Sequence, residues 1–471
     1  MNMKGKRTKC IAAILAGCMM LGGLSGCGTG VKAEKENVDG NEDSKVDPAV
    51  SNSGTVLNIY TSGDELRERM AQLYPNYTDT EPGHGVIGDV TVNWVITPND
   101  DNMYQDKIDK TLEYLTDTDA DDRVDLFTVE ADYAKKYAGS GYLMTMEEIG
   151  LTESDMANQY AYTQNMIKNA DGDICGSSWQ ATPGFFLYRR SIAVEVFGTD
   201  DPEEIQEHLK TWEKMDESAA MLESKGYAMF AAYNDTYYPF NANKSIPWVS
   251  EDLTIQIDEA MYDWVDQTKL YSDNGYNQRK YEMTDIVTAL SKDGKVFGAF
   301  AAPWYMDYVT FTCLADPEAA WTYGNGSYGD WAICNGPESF YWGGTWLCVP
   351  QDCDNVDLVK DIIYTLTCDE DTMKKLVNEK GEFVNNSKVM QEIADSDYEC
   401  AFLGGQNHIG LLIDSVEDID VSNVTVYDQG IGDSFKDAMR EYYEGRIDEN
   451  EAITRFYESA VVKYPELSRG E

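Results

Sequence analysis

The sequence predicts an α/β fold. Three observations predict it: short β-branched and aromatic runs recur along the chain, stretches of helical period separate them, and turn residues sit at the changeovers. Residues 56–60 (VLNIY) read as the first strand, after which Ser62 and Gly63 turn the chain and Asp64 is placed to cap a helix beginning at Glu65. Residues 90–96 (VTVNWVI) are the second. Pro98, Asn99 and Asp100 then lead into a helix over 101–115 with Met103, Ile108, Leu112 and Leu115 on its apolar side. Residues 124–129 (VDLFTV) are the third strand. This alternation is that of a parallel sheet with crossover helices. Ligands of such sheets sit where strands end and helices begin, which puts 61–65, 97–100 and 130–133 on one rim.

A second unit of the same kind starts at Phe185. It has a strand at 185–188 (FFLY), a helix opened by Pro202, another at 212–222 and a strand at 227–233. Residues 295–302 and 343–349 are strand-like. Residues 434–467 read as two helices with Phe435, Met439 and Tyr442, then Ile453, Phe456, Val461 and Tyr464, on their apolar sides.

The N-terminus carries Lys4, Lys6, Arg7 and Lys9, an apolar stretch at 11–21 and the small-residue site Leu24-Ser25-Gly26-Cys27. That is the pattern of a secretory leader, and its apolar run falls short of the roughly 20 residues a spanning helix needs. Residues 1–26 are therefore read as a lipoprotein signal peptide, with Cys27 as the lipid-bearing new N-terminus. Residues 27–54, polar and without an aromatic, form a tether between lipid and body. The mature chain is expected outside the cytoplasm, lipid-anchored at the membrane.

Without the leader's four cations, 33 Lys and Arg face 84 Asp and Glu, a formal charge of −51 that repels nucleic acid. Beyond Cys27 there are seven cysteines, at 175, 313, 334, 348, 353, 368 and 400. No CxxC pair occurs among them, and His84, His208 and His408 are scattered, so neither a zinc site nor a disulfide scaffold is expected, and no cofactor is. The 31 Tyr outnumber the 14 Phe, a surplus of rings with polar tips that suits recognition surfaces.

No GxSxG, HExxH or phosphate-loop motif is present. Glu130 and Asp132 lie two apart at a strand end and share a face if the strand continues, so they serve as hydroxyl acceptors as readily as a catalytic pair. Aromatic and amide residues cluster in Gly-containing segments: 178–184 (SWQATPG), 341–346 (YWGGTW), 404–408 (GGQNH) and 427–430 (YDQG), with Trp304 and Trp248 beside prolines. A sugar needs that mixture, because its ring has an apolar C–H face and its hydroxyls both donate and accept. Trp346, between apolar neighbours, reads as core. A surface glycan-degrading enzyme and a receptor for a peptide or other non-sugar solute remain open at this point.

The stretches 57–66 (LNIYTSGDEL), 92–109, 125–137 (DLFTVEADYAKKY), 177–193, 330–346, 401–410 and 426–435 make the chain resemble the family 1 extracellular solute-binding proteins, the sugar receptors of bacterial ABC importers with maltose-binding protein architecture. The resemblance implies the two-lobe, type II periplasmic-binding-protein-like fold with hinge strands and a central ligand cleft. It implies lobe 1 over 55–182 plus 297–336 and lobe 2 over 183–296 plus 337–471. It also implies a monomer at the outer face of the cytoplasmic membrane of a Gram-positive bacterium that binds a carbohydrate, an oligosaccharide, and delivers it to permease subunits, with no enzymatic activity. Carried over by position, the ligand-binding residues are Asp64, Glu65, Glu130, Asp132, Trp179, Gln180, Asp235, Tyr237, Trp304, Trp342, Gln406, Asn407 and Asp428. Thr61-Ser62-Gly63 stand where relatives often place an aromatic or amide after the first strand.

Overall fold

The computed structural model describes residues 52–470 apart from 116–117. The leader, Cys27 and most of the tether lie outside the described residues. β1 (Val56–Thr61) runs parallel to β4 (Val90–Ile96) and β5 (Leu126–Glu130), as the strand and helix alternation requires. α1 (Glu65–Leu73) and α2 (Met103–Glu113) connect these strands, burying Leu66, Met70 and Leu73 from the first, and Ile108 and Leu112 from the second. β2 (Tyr77–Asp79) and β3 (His84–Ile87) add an antiparallel edge. The completed seven-stranded sheet has the order β2-β3-β4-β1-β5-β13-β6, with β6 at Ser177–Ser178 and β13 at Thr345–Cys348.

The second sheet centres on β7 (Phe185–Arg189), every residue of which is buried. β11 (Gly298–Ala301) and β12 (Trp331–Cys334) flank it, both antiparallel. β8 (Phe230–Ala232) pairs in parallel with β10 (Asn277–Lys280), and Phe297 N donates to Ala228 O at 2.8 Å to tie that pair to the sheet. After α3 (Tyr237–Ala242), β9 (Thr254–Ile255) receives the C-terminal β14 (Ser468–Arg469), and α4 (Asp428–Tyr443) packs against α5 (Glu449–Lys463). Trp248, Trp264, Phe435 and Phe456 form the core beneath these helices.

Strand pairing corrects the expected assignment of three strands. β11 and β12, within the 297–336 segment expected in lobe 1, pair with β7 in the second sheet, whereas β13, expected in lobe 2, pairs with β5 and β6 in the first. The chain therefore crosses between sheets at 179–184 and returns at 335–344. The two crossings are bonded to each other: Trp342 N donates to Thr182 O at 3.1 Å, Gly184 N to Phe340 O at 2.7 Å, and Thr182 Oγ1 to Gly343 O at 2.9 Å. A pair of short bonded crossings joining two sheets is a hinge.

Local expectations at two helix starts also change. Asp64 does not cap α1; its carboxylate pairs with Arg67 at 2.7 Å. α2 starts at Met103 rather than 101, because Asp101 and Asn102 hold positive φ of 51° and 63° in a preceding turn. The seven cysteines of the body are all free, six of them buried. Among the described residues no helix is long and apolar enough to cross a membrane.

Candidate ligand cleft

The cleft opens at the C-terminal end of β5, beside the hinge. One wall is Ala131 and Asp132. The other is α3, through Tyr237, Tyr238, Asn241 and Ala242, together with the first turns of α4, through Asp428, Gln429, Gly432, Asp433 and Lys436. Tyr341 and Gly343 of the returning crossing form its floor. The cavity left between the walls is about 50 Å³. Small-molecule sites run to roughly 300–1,000 Å³, so a ligand of that size enters only when the walls move apart, which the hinge permits.

Trp342 organises the floor. Tyr238 stacks on it with centroids 4.5 Å apart, Trp304 meets it edge-on at 4.8 Å, and Tyr305 lies at 5.3 Å. Trp304 Nε1 donates to Trp342 O at 2.8 Å. The two glycines that follow make this approach possible. Gly343 has φ +77° and a Cβ there would stand 3.0 Å from Trp304 Nε1, while Gly344 has φ +114°.

Of the expected residues, Asp132, Tyr237 and Asp428 line the cleft, and half-buried Trp304 and Trp342 support its floor. Asp132 is exposed and accepts no hydrogen bond within the described residues. The cleft walls around it push its carboxyl pKa up; Lys436 opposes that rise, while the charges of Asp433 and Asp428 add to it. Lys436 pairs with Asp433 at 3.0 Å and lies 4.7 Å over the Tyr237 ring. The opening is thus lined by rings and carboxylates, with cations already engaged.

The remaining expected residues have other work. Trp179 is 0 % exposed, in the core under the Arg69 guanidinium, which lies 4.9 Å over its ring. Gln180 is buried and bridges through its backbone to Val384. Glu65 pairs with Arg69 at 2.5 Å, and Asp64 with Arg67. Asp235 accepts from Ala232 N at 2.6 Å, closing the turn after β8. Gln406 accepts from Ile333 N and donates to Ile333 O, both at 2.9 Å, so it covers the open edge of β12 as another strand would. Asn407 donates to Ala394 O at 3.2 Å. Glu130 accepts from Ser62 Oγ at 2.8 Å just behind Asp132.

The expected set omits Tyr238, Asn241, Tyr341, Gln429, Asp433 and Lys436, which also line the cleft. Helical spacing was the available signal: Tyr237 and Asn241 are four apart, as are Gln429 and Asp433, and such pairs share a helix face. Among the described residues no group of three or more His, Cys, Asp or Glu could hold a metal ion.

Glu130 and Asp235 are two of the three described carboxyls, with Asp125, whose pKa is raised furthest, which makes folding sensitive to pH. Burial pushes Glu130 up to about 7 against its Ser62 bond, with Asp132 and Glu65 adding, and burial pushes Asp235 up to about 7 against bonds from Ala232 and Ala231. A carboxyl raised above its unfolded value of about 4 holds its proton longer in the folded state. Its stabilisation is therefore complete below about pH 4 and lost as pH rises through about 7. Between about pH 5 and about pH 8 wild type should therefore lose more melting temperature, or gain less, than E130Q or D235N does. Identical slopes in wild type and both variants would exclude these groups.

Two α/β sheets joined by bonded crossings, with a polar and aromatic cleft between the walls they support, define a two-lobed solute-binding protein. The chain belongs to the bacterial extracellular solute-binding protein family, which it matches over residues 84–399. No curated protein matches it. Solved structures share the fold at low identity. A crystal structure of an extracellular solute-binding protein of family 1 superposes with TM-score 0.67 at 14 % identity, covering 86 % of this chain and 98 % of that one. The ABC transporter associated binding protein of B. animalis subsp. lactis Bl-04, in complex with β-1,6-galactobiose, gives 0.65 at 15 %, covering 89 % and 100 %. The galacto-N-biose/lacto-N-biose I-binding protein of Bifidobacterium longum, in complex with lacto-N-biose, gives 0.62 at 13 %, covering 89 % and 100 %.

Proposed function

We propose that this protein captures an oligosaccharide outside the cell and delivers it to the permease of an ABC transporter. The observation that carries the reading is Asp132, an exposed carboxylate without a protein partner, facing a wall of tyrosines across a hinged cleft. Rings can take the C–H face of a sugar while carboxylates and amides take its hydroxyls. The solute-binding family and the sugar complexes of structural neighbours support it. The cleft's engaged cations favour a neutral ligand over an anion. The protein acts by binding, without catalysis, and as a monomer. The cleft is where an extracellular receptor anchored through Cys27 would present its sugar to the membrane.

A thermal-shift panel of β-1,6-galactobiose, lacto-N-biose and maltose series oligosaccharides tests this. A ligand at 100 times its Kd stabilises by about 2.7 kcal/mol, a readily measured rise. No shift with any oligosaccharide, alongside a shift with peptides, would replace the carbohydrate reading. For the anchor, fractionation should find wild type at the membrane with its leader removed and C27A with its leader uncut or in the medium; a variant as membrane-bound as wild type, with an uncut leader in both, would refute lipidation at Cys27.

A further inference from the structure

The amide of Asn241, on the α3 wall of the cleft, is oriented from behind. Its Oδ1 accepts from Lys244 Nζ at 2.8 Å and from Trp248 Nε1 at 2.9 Å. An ammonium and an indole N–H only donate, so the atom they meet is the amide oxygen and not the nitrogen. That oxygen has two lone pairs, and the two close donors use both, with the Tyr237 hydroxyl a longer third donor at 3.4 Å. The NH2 group is thereby turned away from this pair, on a residue that lines the cleft.

Lys244 has a second task. Its ammonium also donates to Asn241 O at 2.8 Å and stands 3.3 Å from Asp428 Oδ2, while Thr425 N and Oγ1 each donate to Asp428 Oδ1 at 2.8 Å. Lys244 is 5 % exposed, and Asn423 Nδ2 donates to its carbonyl at 2.7 Å, which pins the segment. One buried cation thus holds a donor, Asn241, and an acceptor, Asp428, at the same corner of the cleft.

We propose that Lys244 is a positioning residue for the ligand site, and that the corner it builds selects a group that both accepts and donates a hydrogen bond, as a sugar hydroxyl does. The proposal rests on the reading of the cleft as the sugar site. A hydroxyl satisfies the NH2 and the carboxylate together, whereas an ether oxygen leaves the carboxylate unmet and an ammonium leaves the NH2 unmet.

Neutron diffraction from the sugar-free, deuterated protein tests the placement without any ligand: deuterons on the Asn241 atom facing the cleft are expected, and deuterons on the atom facing Lys244 and Trp248 would overturn the proposal. Calorimetric titration of β-1,6-galactobiose and lacto-N-biose into wild type, N241A, K244M and the double variant tests the role. Each single change should weaken binding at least about tenfold, and the double should be no weaker than the worse single, because Lys244 acts through Asn241. Losses that multiply would overturn it. Should K244M not fold, N241D keeps an oxygen for Lys244 and Trp248 but exchanges the cleft donor for an acceptor. Weaker binding at an unchanged melting temperature supports the proposal, and unchanged affinity overturns it. If neither sugar binds wild type while the deuterons face the cleft, these two disaccharides are excluded as its ligands, the wider oligosaccharide and peptide panel decides the carbohydrate reading, and the placement by Lys244 stands.

Discussion

Replacing Trp179 with alanine is expected to cost about 3–5 kcal/mol of stability and to leave the affinity of the folded protein unchanged. The indole is 0 % exposed, so its loss removes a large buried surface and opens a cavity that the surrounding backbone fills only in part. That backbone is tied on both sides, since Asn385 N donates to Trp179 O and Ala181 N to Phe383 O, each at 3.0 Å. Arg69 would also lose the ring beneath it while still bridging Glu65 and Glu382. Urea unfolding measures the loss, and calorimetric titration at low temperature measures binding by the folded fraction. Normal stability with lost binding would return Trp179 to the cleft.

Asp132→Ala has the opposite signature. Its carboxylate is exposed at the cleft wall and satisfied by nothing within the described protein, so a bound hydroxyl would be its first hydrogen-bond partner. Hydrogen bonds to charged groups contribute about 1.5–3 kcal/mol, and each 1.4 kcal/mol is about tenfold in Kd. Oligosaccharide affinity should therefore fall by roughly 10- to 150-fold. Stability should hold or rise, because the surrounding cleft walls, with the charges of Asp433 and Asp428, disfavour the carboxylate more than Lys436 favours it. Titration and a melting curve on the same preparation decide it. Unchanged affinity would leave Asp132 a solvated surface charge.

Strands at 56–60, 90–96 and 185–188 stand within a residue or two of β1, β4 and β7, because β-branched content and turn residues act over a few neighbours. The family resemblance supplied the two-lobe architecture on top of that. The Tyr341-Trp342-Gly343-Gly344 segment also announced itself, since consecutive glycines beside large rings mark a close backbone approach.

The candidate site was legible only in part, and the misses share a cause. Trp179 and Trp342 are both tryptophans in Gly-containing crossing segments, yet one lies under Arg69 in the core and the other beneath the cleft. Gln406 has the chemistry of a sugar ligand but is committed to both backbone groups of Ile333. Asn241 lies in a segment with no motif of its own and stands in the cleft wall because Lys244 and Trp248 hold it there. By itself the sequence determined the class of fold, the positions of most strands and the stock of rings, amides and carboxylates. Only the tertiary structure decided which sheet received β11, β12 and β13, and which polar groups were left free for a ligand. Those outcomes depend on partners far away in sequence: a strand takes the open edge that packing offers it, and a polar side chain is available to a ligand only when no distant backbone group has already claimed its hydrogen bonds.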